Sequence, residues 1–102
     1  MVAPMDTWAY VNLDGTIAKS EETWNPRALA CAALACVRSD VGVYDVTAPE
    51  GVELLGGQVT AQYTPGVVGV VESITDGRTA RVHLTIEGTD TDCAFVLELL
   101  EA

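Results

Sequence analysis

The stretch on which the fold turns is Val67-Val68-Gly69-Val70-Val71-Glu72-Ser73-Ile74-Thr75-Asp76-Gly77-Arg78-Thr79-Ala80-Arg81-Val82-His83-Leu84-Thr85-Ile86-Glu87. Val82, Leu84 and Ile86 alternate with Arg81, His83, Thr85 and Glu87, the period of a strand with one buried and one wet face. The Asp76-Gly77 pair between the two arms supplies the positive φ angles of a type I′ turn, whose twist matches paired strands. A β-hairpin follows. A second Asp-Gly pair, Asp14-Gly15, separates Thr7–Leu13 from Thr16–Lys19 and predicts a second hairpin of the same kind.

Working outward, Gly42–Thr47 reads as a strand that stops at Ala48-Pro49, where proline cannot join a ladder. Gln58–Thr64 alternates and stops at Pro65-Gly66. In the tail, Phe95, Leu97 and Leu99 share one face, while Val96 and Leu100 lie on the other face with Glu98. That second apolar row marks a subunit contact or a strand covered on both sides. Asn25–Arg38 is a helix on propensity alone, with Asn25 as cap, Pro26 in the first turn and a run of alanines. Yet it is apolar all round and runs into the turn Ser39-Asp40-Val41-Gly42, which favours a buried strand over Ala32–Arg38. Ala28–Ala35 therefore stays open between helix and strand. The expected fold is all-β, an antiparallel β-sandwich or jelly-roll of about seven to eight strands, with allowance for one short helix near residues 26–34.

The 102 residues are expected to form one domain, residues 1–102, because halves would be too small to bury useful cores. The net charge of −10 leaves only Lys19, Arg27, Arg38, Arg78 and Arg81 as cations, which argues against nucleic acid and against anionic membranes as partners. The apolar run Ala28–Val37 is far short of the roughly 20 residues of a membrane span. Met1–Tyr10 lacks the basic and apolar regions of a signal peptide, so synthesis in the cytoplasm is expected.

Candidate chemistry is sparse. Asn12-Leu13-Asp14-Gly15-Thr16 resembles the D-x-D-G-T opening of the haloacid-dehalogenase phosphatases, but an amide stands where that reaction needs its nucleophilic aspartate, and a hairpin turn explains the same residues. His83, the sole histidine, is expected on a wet strand face, with no Gly-x-Ser-x-Gly or His-Glu-x-x-His pattern to enlist it. Cys31, Cys36 and Cys93 have no chelating spacing and are expected as buried, reduced thiols. Asp90 and Asp92 beside Glu87 suggest a cation loop, although the EF-hand pattern is absent and a solvated loop is the simpler account. No catalytic, cofactor-binding or metal-ligating residue is assigned, and no cofactor is expected. Trp8, Trp24, Val96 and Leu100 are the candidate interface residues, since large aromatics and a second apolar row serve either a core or a contact.

Three segments, in order, resemble a β-sandwich module of bacteriophage tail-fibre and other virion-associated proteins. Ala9–Ile17 is similar to its A-x-V-N-x-D-G-T start. Val37-Arg38 with Gly42-Val43-Tyr44-Asp45-Val46-Thr47 is similar to its middle, which ends G-x-Y-x-V-T. Asp92–Leu97 is similar to its closing D-x-x-F-x-L strand. Ala48-Pro49 departs from the module where an aromatic residue usually follows. The resemblance implies a structural or host-recognition role, often in trimers, and carries over no catalytic residue. The expected function is a non-enzymatic virion structural protein, a capsid decoration or fibre-type subunit, whose partners are copies of itself and other virion proteins. The alternatives are a carbohydrate- or receptor-binding module that meets a host-surface glycan, and a small acidic inhibitor.

Overall fold

A computed structural model describes the backbone of residues 7–22, 34–48, 51 and 53–101. Nine strands lie in this part of the chain: β1 (Thr7–Val11), β2 (Ile17–Glu22), β3 (Ala35–Asp40), β4 (Val43–Thr47), β5 (Leu54–Ala61), β6 (Val67–Thr75), β7 (Thr79–Ile86), the two-residue β8 (Thr89–Asp90) and β9 (Phe95–Glu101). The first sheet has the order β2-β1-β9-β5 and the second β3-β4-β7-β6, with β8 added beside β7. Every pairing is antiparallel. The sheets face each other across one core, so the expected all-β sandwich is the fold, with no helix among the described residues.

Alternation decides what enters the core. Ala9 and Val11 come from β1, Tyr44 and Val46 from β4, Ala80, Val82 and Leu84 from β7, and Phe95, Leu97 and Leu99 from β9, all essentially sealed from solvent. The aromatic centre is an edge-to-face pair, Tyr44 and Phe95, with ring centroids 5.0 Å apart and planes at 68°. On one side the sandwich narrows where β5 and β6 approach. A Cβ on Gly69 would stand 2.5 Å from Val59 Cγ1 and 2.6 Å from Leu84 Cδ2, so the missing side chain is what admits Val59 there.

The turns divide. Asp76 and Gly77 both have positive φ (54° and 67°), and the Arg78 N–H donates to Thr75 O at 3.0 Å, as a type I′ turn requires. At Asp14-Gly15 the expectation of a type I′ turn needs correction. The loop runs from Asn12 to Thr16, and only Gly15 is left-handed. Local side-chain bonds explain this: the Asp14 carboxylate accepts the Thr16 N–H (2.9 Å) and hydroxyl (2.7 Å), while Asn12 Nδ2 donates to Thr16 Oγ1 (3.0 Å). These bonds also lower the Asp14 pKa, the Thr16 hydroxyl first. A further turn was not foreseen. Glu87 (φ 50°) and Gly88 (φ 81°) close β7 onto β8, with Ile86 opposite Thr89.

Two strand expectations also change. The strand placed over Gln58–Thr64 starts earlier, at Leu54, because Leu54 is buried, and ends at Ala61. The buried strand placed over Ala32–Arg38 is β3, an edge strand among the described residues, which starts at Ala35 and buries little beyond Cys36; Val37 is 64% exposed. The apolar run leading into it suggested burial, but Cys36 points to the core and Val37 therefore points to the outer face of the sheet. Most of the helix considered near residues 26–34, with Trp24 and Cys31, lies outside the described residues; Leu34 belongs to no helix.

Cys93 is buried and Cys36 half-buried, and both are free thiols. Burial, then the nearby Asp45 charge, pushes the Cys36 thiol up to about 11. Since the thiolate is the nucleophile, alkylation of Cys36 at pH 8 is expected to run about a hundredfold slower than that of an unstructured cysteine. Peptide mass mapping after timed iodoacetamide treatment reads this directly, and modification at the unfolded rate would contradict it.

Candidate functional site

The outer face of the first sheet is the leading candidate. Because Ala9 and Val11 point into the core, Trp8 and Tyr10 point out; because Phe95, Leu97 and Leu99 point in, Val96, Glu98 and Leu100 point out. The register sets Tyr10 opposite Val96 and Trp8 opposite Glu98 on one side of β9. On its other side Val96 faces Thr60, Glu98 faces Gln58 and Leu100 faces Gly56. Gln58 Nε2 donates to Glu98 Oε1 at 3.3 Å. Trp8, Val96 and Leu100 are thus brought to one face, each half-buried, and Trp24 lies outside the described residues. Tyr10, which is not one of the four candidate interface residues, sits among them. Its period-two relation to Trp8 was the available signal.

Tyr63 stands at the rim. It is 87% exposed and has φ 66°, with the Thr64 N–H donating to Gln62 O at 2.8 Å across it. This is a γ-turn of the rare positive-φ kind, costly for a bulky residue and most often retained at functional positions. Tyr63 shares a side-chain hydrogen bond with Tyr10, and desolvation within the face, followed by that bond, raises the Tyr10 pKa. Composition could not reveal a strained aromatic; Pro65-Gly66 only marked a turn nearby.

A second constellation closes one end of the sandwich. Asp92 accepts Arg38 Nε on both carboxylate oxygens at 2.9 Å and Arg38 Nη2 at 2.8 Å. The same carboxylate accepts the Gly42 N–H at 2.9 Å and lies 3.3 Å from the Tyr44 hydroxyl, which gives its single proton to Leu13 O at 2.6 Å. The Arg38 guanidinium, ahead of the Gly42 N–H and the Tyr44 hydroxyl, lowers the Asp92 pKa, while burial and then Asp92 push the Tyr44 phenol up to about 12. Asp92 therefore anchors the β8–β9 connection to Arg38, Gly42 and Tyr44 of the β3–β4 hairpin, and is not simply a residue of a solvated loop. The segments Ala9–Ile17, Val37–Thr47 and Asp92–Leu97 meet here.

The third constellation lies on the outer face of the second sheet. His83 is half-buried, with Nε2 2.7 Å from Asp90 and Nδ1 3.4 Å from Glu72, so it is held between two carboxylates where an open position was expected. The carboxylates lie on opposite sides of the ring and do not converge on a common point. Among the described residues no group of three His, Cys, Asp or Glu is placed to hold a metal ion. Beside it, Arg81 pairs with Asp45 (2.9 Å), which also accepts the Ser39 hydroxyl (2.5 Å). Arg81 foremost, then Ser39, lowers the Asp45 pKa. The described carboxylates are thus spread over both outer faces and one end.

No family model, no curated protein and no solved structure matches the chain. The class that the fold defines is an antiparallel β-sandwich presenting an aromatic–aliphatic sheet face.

Proposed function

We propose that the protein is a non-enzymatic structural subunit of a virion, a capsid decoration or fibre component, which binds copies of itself and other virion proteins through the outer face of its first sheet. The observation that carries this reading is the grouping of Trp8, Tyr10, Val96 and Leu100 on one rigid face with Tyr63 at its rim. Aromatic anchors on a pre-organised surface are the residues that dominate protein contacts. The resemblance adds support, because its three segments form the frame around Asp92 and leave the sheet face to carry specificity. Val96→Glu places a charge in the middle of that face. It is expected to weaken assembly at least about tenfold while leaving the thermal midpoint nearly unchanged. Solution mass across a concentration series, with and without the substitution, checks it; an assembly indifferent to Val96→Glu would remove this face from the function.

One observation favours a second reading, a host-glycan site. Tyr63 is strained and exposed beside Tyr10, and an aromatic platform with the Gln58–Glu98 pair nearby suits the mixed apolar and polar faces of a sugar. Binding on a glycan array that Tyr63→Ala abolishes, at unchanged solution mass, would favour this reading over the first.

A further inference from the structure

Among the described residues, β6 is the last strand of the second sheet. The direction of its unpaired backbone groups follows from its neighbour β7. The Leu84 N–H donates to Gly42 O at 2.8 Å, and Leu84 O accepts the Thr91 N–H at 3.1 Å, so both backbone groups of Leu84 turn toward β4 and β8. Alternate residues of an antiparallel strand turn opposite ways, so His83 and Thr85 turn toward β6 and meet Val70 and Val68. Val67, Gly69 and Val71 therefore direct their N–H and C=O groups to the open edge. Val68 and Val70 raise their side chains to solvent, 61% and 51% exposed.

We infer that this edge is a two-fold seam on which a second copy of the chain pairs, β6 against β6, about Gly69. The inference rests on the assembly reading above and supplies its self-contact. Three features select a second copy over any other strand. Val67-Val68-Gly69-Val70-Val71 reads the same in both directions. An antiparallel pair centred on Gly69 therefore sets Val67 opposite Val71, Val68 opposite Val70 and Gly69 opposite itself, the self-complementarity that a two-fold contact requires. Its hydrogen-bonding phase is right, because Gly69 faces Gly69 with edge-directed groups and the exposed valines fall in the closer, non-bonded pairs. Charge is right too. No charged residue lies between Leu54 and Val71 in a chain of net charge −10, and Glu72 of each copy falls opposite Gly66 of the other. The register shift between Val71 and Ser73 bends β6 and ends the flat segment there, and Pro65 ends it on the other side. The seam is short and joins copies in pairs, where the resemblance implied trimers.

Sedimentation of the full chain from about 1 µM to about 1 mM is expected to show a discrete two-copy species. Replacing both Val68→Lys and Val70→Lys sets like charges face to face and is expected to weaken pairing at least about tenfold. Both positions are exposed, so circular dichroism and the thermal midpoint should not move. Mixing that chain with one carrying Val68→Glu and Val70→Glu should restore a mixed pair. A single-copy mass at the highest concentration overturns the seam. So does a larger assembly that ignores the lysine pair, or a mixture that stays unpaired. Assembly that responds to Val96→Glu but not to the lysine pair removes the seam and leaves the assembly function standing; the reverse pattern removes the proposed face and leaves the seam.

Discussion

Gly42→Ala is expected to remove about half or more of the stability of the domain at 25 °C. Gly42 sits in the β3–β4 turn at φ 71°, and an added Cβ would stand 2.5 Å from Leu84 O, 2.9 Å from Thr91 N and 3.0 Å from Thr91 O. All three are backbone atoms, of β7 and of the segment that follows β8, so no side chain can swing away. The left-handed conformation alone costs about 1 kcal/mol for a residue with a Cβ, and displacing a ladder costs several more. A domain this small holds only about 5–10 kcal/mol in total. Gly88→Ala is the informative comparison, because Gly88 has φ 81° but nothing within 4 Å of its would-be Cβ. It should lose only about 1 kcal/mol. Urea unfolding of both variants separates crowding from conformation; equal losses would show that the close packing around Gly42 contributes nothing.

Asp92→Ala is the next largest loss, about 2–3 kcal/mol. It removes a charge-assisted pair with Arg38 and strands the Gly42 N–H and the Tyr44 hydroxyl contact, with a discount because both charged side chains are about a third exposed. The pH dependence has a definite sign. Asp92 and Asp45 both have lowered pKa values in the folded chain. Their stabilisation is complete above the unfolded aspartate value near 4 and is lost as pH falls through the lower folded values. Wild-type stability should therefore drop below about pH 4, and Asp92→Asn should flatten part of that slope. A slope identical in both proteins would take the Arg38–Asp92 pair out of the acid response.

These two substitutions act at the same end of the sandwich, where Gly42, Tyr44, Arg38, Leu13 and Asp92 interlock. The proposed face and seam lie elsewhere, on β1, β9 and β6. Stability and contact can therefore be varied separately, which is what the solution-mass experiments need.

Hairpin β6–β7 was legible in the sequence because its information is local: a period of two in Val82, Leu84 and Ile86, and a turn residue with positive φ at Gly77. The inward row Phe95, Leu97 and Leu99 was legible for the same reason. Where neighbours in space decide, local reading failed. Asp14 did not take the left-handed backbone, because Thr16 satisfied its carboxylate, and Val37 of β3 proved exposed although it ends an apolar run. Asp92 looked like a loop acid until Arg38, 54 positions away, met it.

By itself, then, the sequence determined the all-β class, the two largest hairpin arms and the apolar row of the last strand, since alternation and turn chemistry act between residues a few positions apart. It also contained the palindrome Val67–Val71 and the uncharged run around it. Only the tertiary structure decided what those mean. Sheet order made β6 an edge, the hydrogen bonds of Leu84 fixed which of its residues face outward along that edge, and register gathered Trp8, Tyr10 and Val96 on one surface. Strand order and register depend on contacts between segments distant in the chain, and no local pattern encodes them.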